Sequence, residues 1–404
     1  MSIAPDRFGE FFEAVYGFGP FPWQGRLAER VANAHARPGQ WPTCLALPTG
    51  SGKTTCVDIA IFALACQAKL PANERTAPRR IIFVVDRRVI VDEAFEHAVE
   101  LAGKLRDATE GILFDVATAL RELAGGDEFR ELLPKPMKSR HGDLLPLTCH
   151  QLRGGIYRDD AWARTPLQPC VICSTVDQIG SRLLFRGYGA SFKSRPLHAG
   201  LAANDSLIIL DEAHCAQPFM ETLLSIQKYR NEWRKERVGG PFQFAIMSAT
   251  PPEGTTEKPF SIKEDDREHP HLGRRISAKK PTQLVPSKAK GKKAQSALAV
   301  ALVKHAASLV SDERQAIGVL VNRVPCAKFC HSLLNAARDK SVKFLEPFSS
   351  ANLRDIRKVL PDEFDVVLLT GRMRSYDKNR VTAWLQSLSA NTRQANENST
   401  SPSS

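Results

Sequence analysis

Two stretches of this 404-residue chain have the residue types and spacing to handle a polyphosphate. The first is Pro48-Thr49-Gly50-Ser51-Gly52-Lys53-Thr54-Thr55, led by the apolar Leu45–Leu47 and followed by the apolar run Val57–Ala68. Strand, glycine-rich turn and helix form the setting in which a phosphate-binding loop has a mechanism. Gly50 and Gly52 permit torsions and a close approach that a Cβ would obstruct. Backbone N–H groups from Thr49 through Thr55, together with the helix start, then face an anion. Lys53 brings charge to the β- and γ-phosphates, and the Thr54 hydroxyl is placed to ligate Mg²⁺. The strict pattern has Gly five residues before Gly52, where this chain has Leu47.

The second stretch is Leu207–His214, LIILDEAH. Four apolar residues read as a buried parallel strand. Asp211 and Glu212 close it, at the strand end where α/β sheets place ligands. Asp211 would hold Mg²⁺ through its water shell, Glu212 would orient and deprotonate the attacking water, and His214 would sense the γ-phosphate. The bland alternative is a surface turn after a core strand, and the phosphate loop in the same chain weighs against it. A third strand, Phe244–Thr250, ends in Ser248 and Thr250, small hydroxyl residues suited to coupling such a site to its surroundings.

Together PTGSGKT, DEAH and SAT resemble the motifs of superfamily 2 helicases. Phe21-Pro22-Trp23-Gln24 precedes the loop as an adenine-reading element does. Gln24 offers the donor and acceptor that an adenine edge pairs with, and Phe21 or Trp23 offers a ring. Val84–Val89 (VVDRRV), Ser174–Gln178 (STVDQ) and Leu369–Arg374 (LTGRMR) are similar to the CRISPR-associated type I helicase–nuclease, in the form called subtype U or G. The resemblance spans about Phe11 to Leu385. It implies an ATP- and Mg²⁺-dependent motor on single-stranded DNA, recruited by an RNA-guided CRISPR effector complex that has opened a target. In that family the loop after Val85 touches the nucleic-acid backbone, so Arg87 and Arg88 become phosphate contacts. Amides at the helix start after Ser174 and Thr175 are suited to a DNA phosphate. Arg186, in the basic and aromatic stretch Arg186–Arg195, and Arg323 complete the candidate nucleic-acid set. Arginine beside Tyr188 and Phe192 is the pairing of a single-strand groove, although an ordinary surface loop has the same composition.

The bulk properties agree with a polyanionic partner: net charge is +12 and the pI is near 9.3. No apolar signal segment follows the start, and Val57–Ala68 is too short to span a bilayer. A cytoplasmic protein without membrane association is expected. Nine cysteines in this length do not make a disulfide scaffold. Cys170 and Cys173 lie three apart on an expected strand, and so on opposite faces.

The expected fold class is α/β: a RecA-like parallel sheet flanked by helices, with a second, incomplete RecA-like domain. An aromatic N-terminal helix occupies 1–20, the ATP-binding domain 21–252, a flexible linker 253–294, the partial second domain 295–386 and a disordered tail 387–404. Strands are expected at Ala316–Asn322 and Asp365–Thr370. Nothing after Arg374 looks like the Gln and arginine motif that reaches the γ-phosphate in such motors, and no His-Asp nuclease cluster is visible. The second domain therefore reads as truncated. The remaining alternatives are a non-catalytic ATP- and DNA-binding fragment, or another superfamily 2 motor of repair or restriction.

Overall fold

The structure, a computed structural model, describes residues 3–34, 40–125, 144–155, 160–213, 216–232, 240–249, 258–279, 281–286, 294–311, 316–339, 350–361, 363–371, 373, 377, 380–381 and 384–385. The chain divides into two compact units, Met1–Lys280 and Pro281–Ser404.

The first unit is built on a seven-stranded sheet. Its strands are β1 (Cys44–Ala46), β2 (Arg80–Val85), β3 (Thr148–Leu152), β4 (Cys170–Thr175), β5 (Ser206–Asp211), β6 (Phe242–Ser248) and β7 (Phe260–Ser261), in the order β3-β4-β2-β5-β6-β1-β7. Every pair in it is parallel. Parallel strands need crossovers, which put helices on both faces and make the strands apolar throughout. The helices are α1 (Phe8–Tyr16), α2 (Pro22–Ala32), α3 (Cys56–Cys66), α4 (Arg88–Asp107), α5 (Gly111–Gly125), α6 (Ala161–Arg164), α7 (Val176–Leu183), α8 (Arg195–Ala203), α9 (Gln217–Glu232), α10 (Glu264–Glu268) and α11 (Pro270–Ser277).

Alternate strand residues feed two cores. Ile81, Phe83, Val85, Val171, Cys173, Leu207 and Ile209 pack with α1 to α5. Ile82, Val84, Cys170, Ile172, Ile208 and Leu210 pack with α6 to α9 on the other face. Cys170 and Cys173 thus fall in different cores, as their spacing requires. The N-terminal aromatics belong to the first core: Phe8 and Phe11 lie 5.4 and 5.3 Å from Phe62 of α3. α3 is buried on every side from Cys56 to Ala65, which explains why its sequence shows no polar stripe.

Residues 260–277 differ from the expected linker. They form β7, α10 and α11, and β7 adds to the sheet beside β1. Composition misleads there because the anchors are polar: Asp266 is fully buried and accepts from the backbone N–H groups of Trp23 and Lys263 at 2.7 and 2.8 Å.

The second unit contains α12 (Ala294–Leu309), α13 (Val324–Arg338) and α14 (Ser350–Arg357), packed around Val303, Cys326, Cys330, Leu333 and Ile356. At 316–322 and 364–370 burial alternates with period two, as in a strand with one covered face. Neither segment joins a ladder among the described residues, so the two expected strands are unpaired there. Most of the 387–404 tail's neighbourhood, and the tail itself, lie outside the described residues.

Candidate active site

Because every ladder is parallel, the C-terminal ends of β1, β2, β4, β5 and β6 line up along one edge of the sheet. The motifs PTGSGKT, VVDRRV, STVDQ, DEAH and SAT lie at or just after those ends. β6 lies between β1 and β5, and the register sets Ala46 beside Ser248 and Asp211 beside Met247. The loop after β1 and the acids after β5 therefore flank the end of β6.

The loop itself is held from within. Gly50 and Gly52 both adopt φ near +81°, which L side chains avoid. A Cβ on Gly52 would also come within 3.2 Å of the Gln24 amide nitrogen. Ser51 is fully buried, donates its hydroxyl to the Pro48 carbonyl at 2.8 Å, and accepts from the Trp23 indole N–H at 3.1 Å. Thr55 Oγ1 donates to the Gly52 carbonyl at 2.8 Å. Lys53–Thr55 form a single 3₁₀ turn ahead of α3. Thr49 and Thr54 are exposed, so the Thr54 hydroxyl is open to a ligand.

Lys53 projects towards the acids. Its Nζ lies 3.9 Å from Asp211 Oδ1 and 3.7 Å from Glu212 Oε1. The Nζ atom is buried and ion-paired with both acids, yet makes no hydrogen bond among the described residues. A buried ammonium without a hydrogen-bond partner is costly, and phosphate oxygens beside the loop would satisfy it. Glu212 has φ +51°, a left-handed torsion rare for a non-glycine residue and a frequent mark of functional sites. Its backbone N–H donates to Asp211 Oδ1 at 3.0 Å, which holds the Asp211 carboxylate. Ser248 is buried at the end of β6; His214 and Thr250 lie outside the described residues.

Gln24 is 1% exposed. Its Oε1 accepts from the Phe21 N–H at 2.7 Å, closing the first turn of α2, and its Nε2 donates to Thr55 Oγ1 at 2.8 Å. The carboxamide thus ties α2 to the phosphate loop. Trp23 is fully buried, which leaves Phe21 as the partly exposed ring beside the loop.

Residues 18–253, more than half of the chain, match the family described as ResIII: Type III restriction enzyme, res subunit. The chain belongs to this family. As a ResIII protein it is a helicase-type P-loop NTPase of superfamily 2, with the nucleotide and nucleic-acid binding that this implies. No curated protein matches the chain. No helix among the described residues is long and apolar enough to cross a membrane.

Arg87, Arg88, Ser174 and Thr175 lie at the same edge, after β2 and at the end of β4. Arg87 and Arg88 are exposed after β2, and the Arg88 guanidinium lies against the Gly154-Gly155 turn. Ser174 is fully buried, and its hydroxyl donates to the Thr175 carbonyl at 2.9 Å, so only backbone groups there remain suited to a phosphate. Arg186 is exposed after α7, in a stretch that also exposes Phe185, Tyr188 and Phe192. Arg323 is exposed ahead of α13, in the second unit. α10 and α11, which follow the family match, carry contacts to α2 and to the loop respectively that no sequence motif announced.

Proposed function

We propose that the chain is an ATP-driven motor on single-stranded DNA. The observation that carries this is Lys53, whose ammonium, ion-paired with Asp211 and Glu212 but without a hydrogen bond among the described residues, stands between them and a glycine-rich loop. In this reading Lys53 holds the β- and γ-phosphates, and the amides of Thr49 to Thr55 cradle them. Thr54, and Asp211 through the ion's water shell, would hold Mg²⁺, which would neutralise charge on the phosphate oxygens. Glu212 orients the attacking water and takes its proton. Ser248, with His214 and Thr250, couples the site to neighbouring loops. DNA phosphates follow Arg87, Arg88 and the start of α7, while exposed Tyr188 and Phe192 beside Arg186 offer faces to unstacked bases.

The finer reading, recruitment by an RNA-guided CRISPR effector complex of type I, is supported by VVDRRV, STVDQ and LTGRMR. A restriction-type motor is the second reading, favoured by the family to which the chain belongs. The test is ATPase activity of the full chain without DNA, with single-stranded DNA and with an effector-opened target. Stimulation by single-stranded DNA supports the motor, and a further gain with the opened target supports the CRISPR reading. No hydrolysis under any condition removes the motor.

A further inference from the structure

α11 reaches the phosphate loop. The Arg275 Nη1 donates to the Gly50 carbonyl at 3.2 Å, and its guanidinium lies 5.7 Å from the centre of the Phe21 ring. His269 meets the same ring edge-on at 5.1 Å, while its Nδ1 accepts from the Leu272 N–H at the start of α11. Phe21 in turn borders the loop: its ring would lie 3.7 Å from a Cβ on Gly52.

This placement is enforced. Leu272 is fully buried, and buried Asp266 binds the Trp23 N–H and pairs with Arg26. Arg26 also pairs with Asp265. Trp23 is therefore held at one end by α10 and at the other by the Ser51 carbonyl of the loop. Segment 264–277 is fastened to α2 and to the loop at once.

We propose that α11 completes the nucleotide site, and that the base of a nucleoside triphosphate lies against the exposed Arg275 guanidinium, which is itself seated on the Phe21 ring. The inference rests on the phosphate-loop reading above. Gln24, whose carboxamide is engaged at both ends, then acts as a positioning residue for the loop. An aromatic ring and a planar guanidinium both present flat faces to a base. Stacking does not read the hydrogen-bonding edge, because every base has a π-face. The site therefore takes purine nucleoside triphosphates with little regard for the base.

The experiment measures binding of ATP, GTP and inorganic tripolyphosphate to the full chain by calorimetry. Expected are ATP and GTP affinities within about tenfold of each other. Arg275→Ala should weaken ATP about tenfold while leaving tripolyphosphate unchanged. Arg275→Lys should recover little of the loss, because it restores charge without a plane. Arg275 is exposed, so these variants keep the core intact. Equal weakening of ATP and tripolyphosphate would reduce Arg275 to a brace for Gly50 and overturn the proposal. Unchanged ATP binding in Arg275→Ala, or full recovery with Lys, overturns it too. Failure of the wild-type chain to bind either ATP or tripolyphosphate would instead sink the phosphate-loop reading on which this one stands.

Discussion

Lys53 and Asp211 face each other across the end of a strand that belongs to neither: Nζ and Oδ1 lie 3.9 Å apart, with β6 between their parent strands. That inserted strand leaves room at the sheet edge for a phosphate group between the loop and the acids. The two residues have separable duties. Lys53→Ala removes charge-assisted hydrogen bonds to the phosphates, of about 1.5–3 kcal/mol, so ATP affinity should fall by at least tenfold. Nucleotide titration checks this, and affinity equal to wild type would dismiss the phosphate-loop assignment.

Glu212 should affect the chemistry and spare the binding. Its left-handed backbone turns the chain at the end of β5, and its carboxylate lies 3.7 Å from Lys53 Nζ. Glu212→Gln keeps shape and loses the base, so turnover should drop by about 10²–10⁴ with ATP affinity preserved. Steady-state hydrolysis together with equilibrium binding separates the two. Turnover that survives the substitution assigns the proton to another group.

Gln24 makes a different prediction. Its buried carboxamide closes the first turn of α2 and holds Thr55, so Gln24→Ala loses both bonds and strands the Phe21 N–H. A cost of about 1–2 kcal/mol in stability follows. It should appear as a lower thermal midpoint with or without nucleotide. A Gln24 that read adenine would instead show its main effect in ATP affinity, with the melting temperature of the free protein unmoved.

The edge of the sheet was legible in sequence because its signals are local. An apolar run ending in Asp-Glu, and glycines before Lys-Thr, each name a strand end without knowledge of the fold. The opposite faces of Cys170 and Cys173 followed from strand periodicity alone. What was hidden depends on partners distant in the chain. Asp266 looks like any acid in a polar stretch until Trp23 and Arg26 surround it. Likewise, 316–322 and 364–370 have strand composition and strand-like burial, but a ladder needs a neighbour, and neither has one among the described residues. Polar anchoring and pairing are tertiary facts, and propensity does not contain them.

Asp205 anchors the other end of the sheet, and its loss should be costly. It is buried at φ +48°, with Arg75 Nη2 3.0 Å and Arg79 Nη1 3.2 Å from its Oδ2. Burial by itself would raise this carboxyl, but Arg75, Arg80 and Arg79 outweigh it and hold it below the ordinary carboxylate range. The folded state therefore binds fewer protons than the unfolded one. The stabilisation is complete above the unfolded value of about 3.9 and is lost as pH falls through the lower folded value. Asp205→Asn leaves the arginines without their counter-charge and should cost about 3–5 kcal/mol. It should also flatten the acid limb of a denaturation profile. A variant as stable as wild type at pH 7 would show that the arginines find other partners.

Arg87 tests the nucleic-acid track. It is exposed just beyond β2, on the edge that carries Lys53 and Asp211, and a phosphate contact there releases counterions. Arg87→Ala should reduce the slope of log affinity against log salt by about 0.7, the value for one single-strand phosphate. It should weaken all sequences alike, since a phosphate contact positions without reading bases. Arg88 differs: its guanidinium rests on the Gly154-Gly155 turn, so Arg88→Ala also removes packing between the start of α4 and the loop after β3. A single-strand binding series across salt concentrations distinguishes them. An unchanged slope in the Arg87 variant would move the DNA path away from this loop, and a slope change confined to one sequence would make Arg87 a base contact instead.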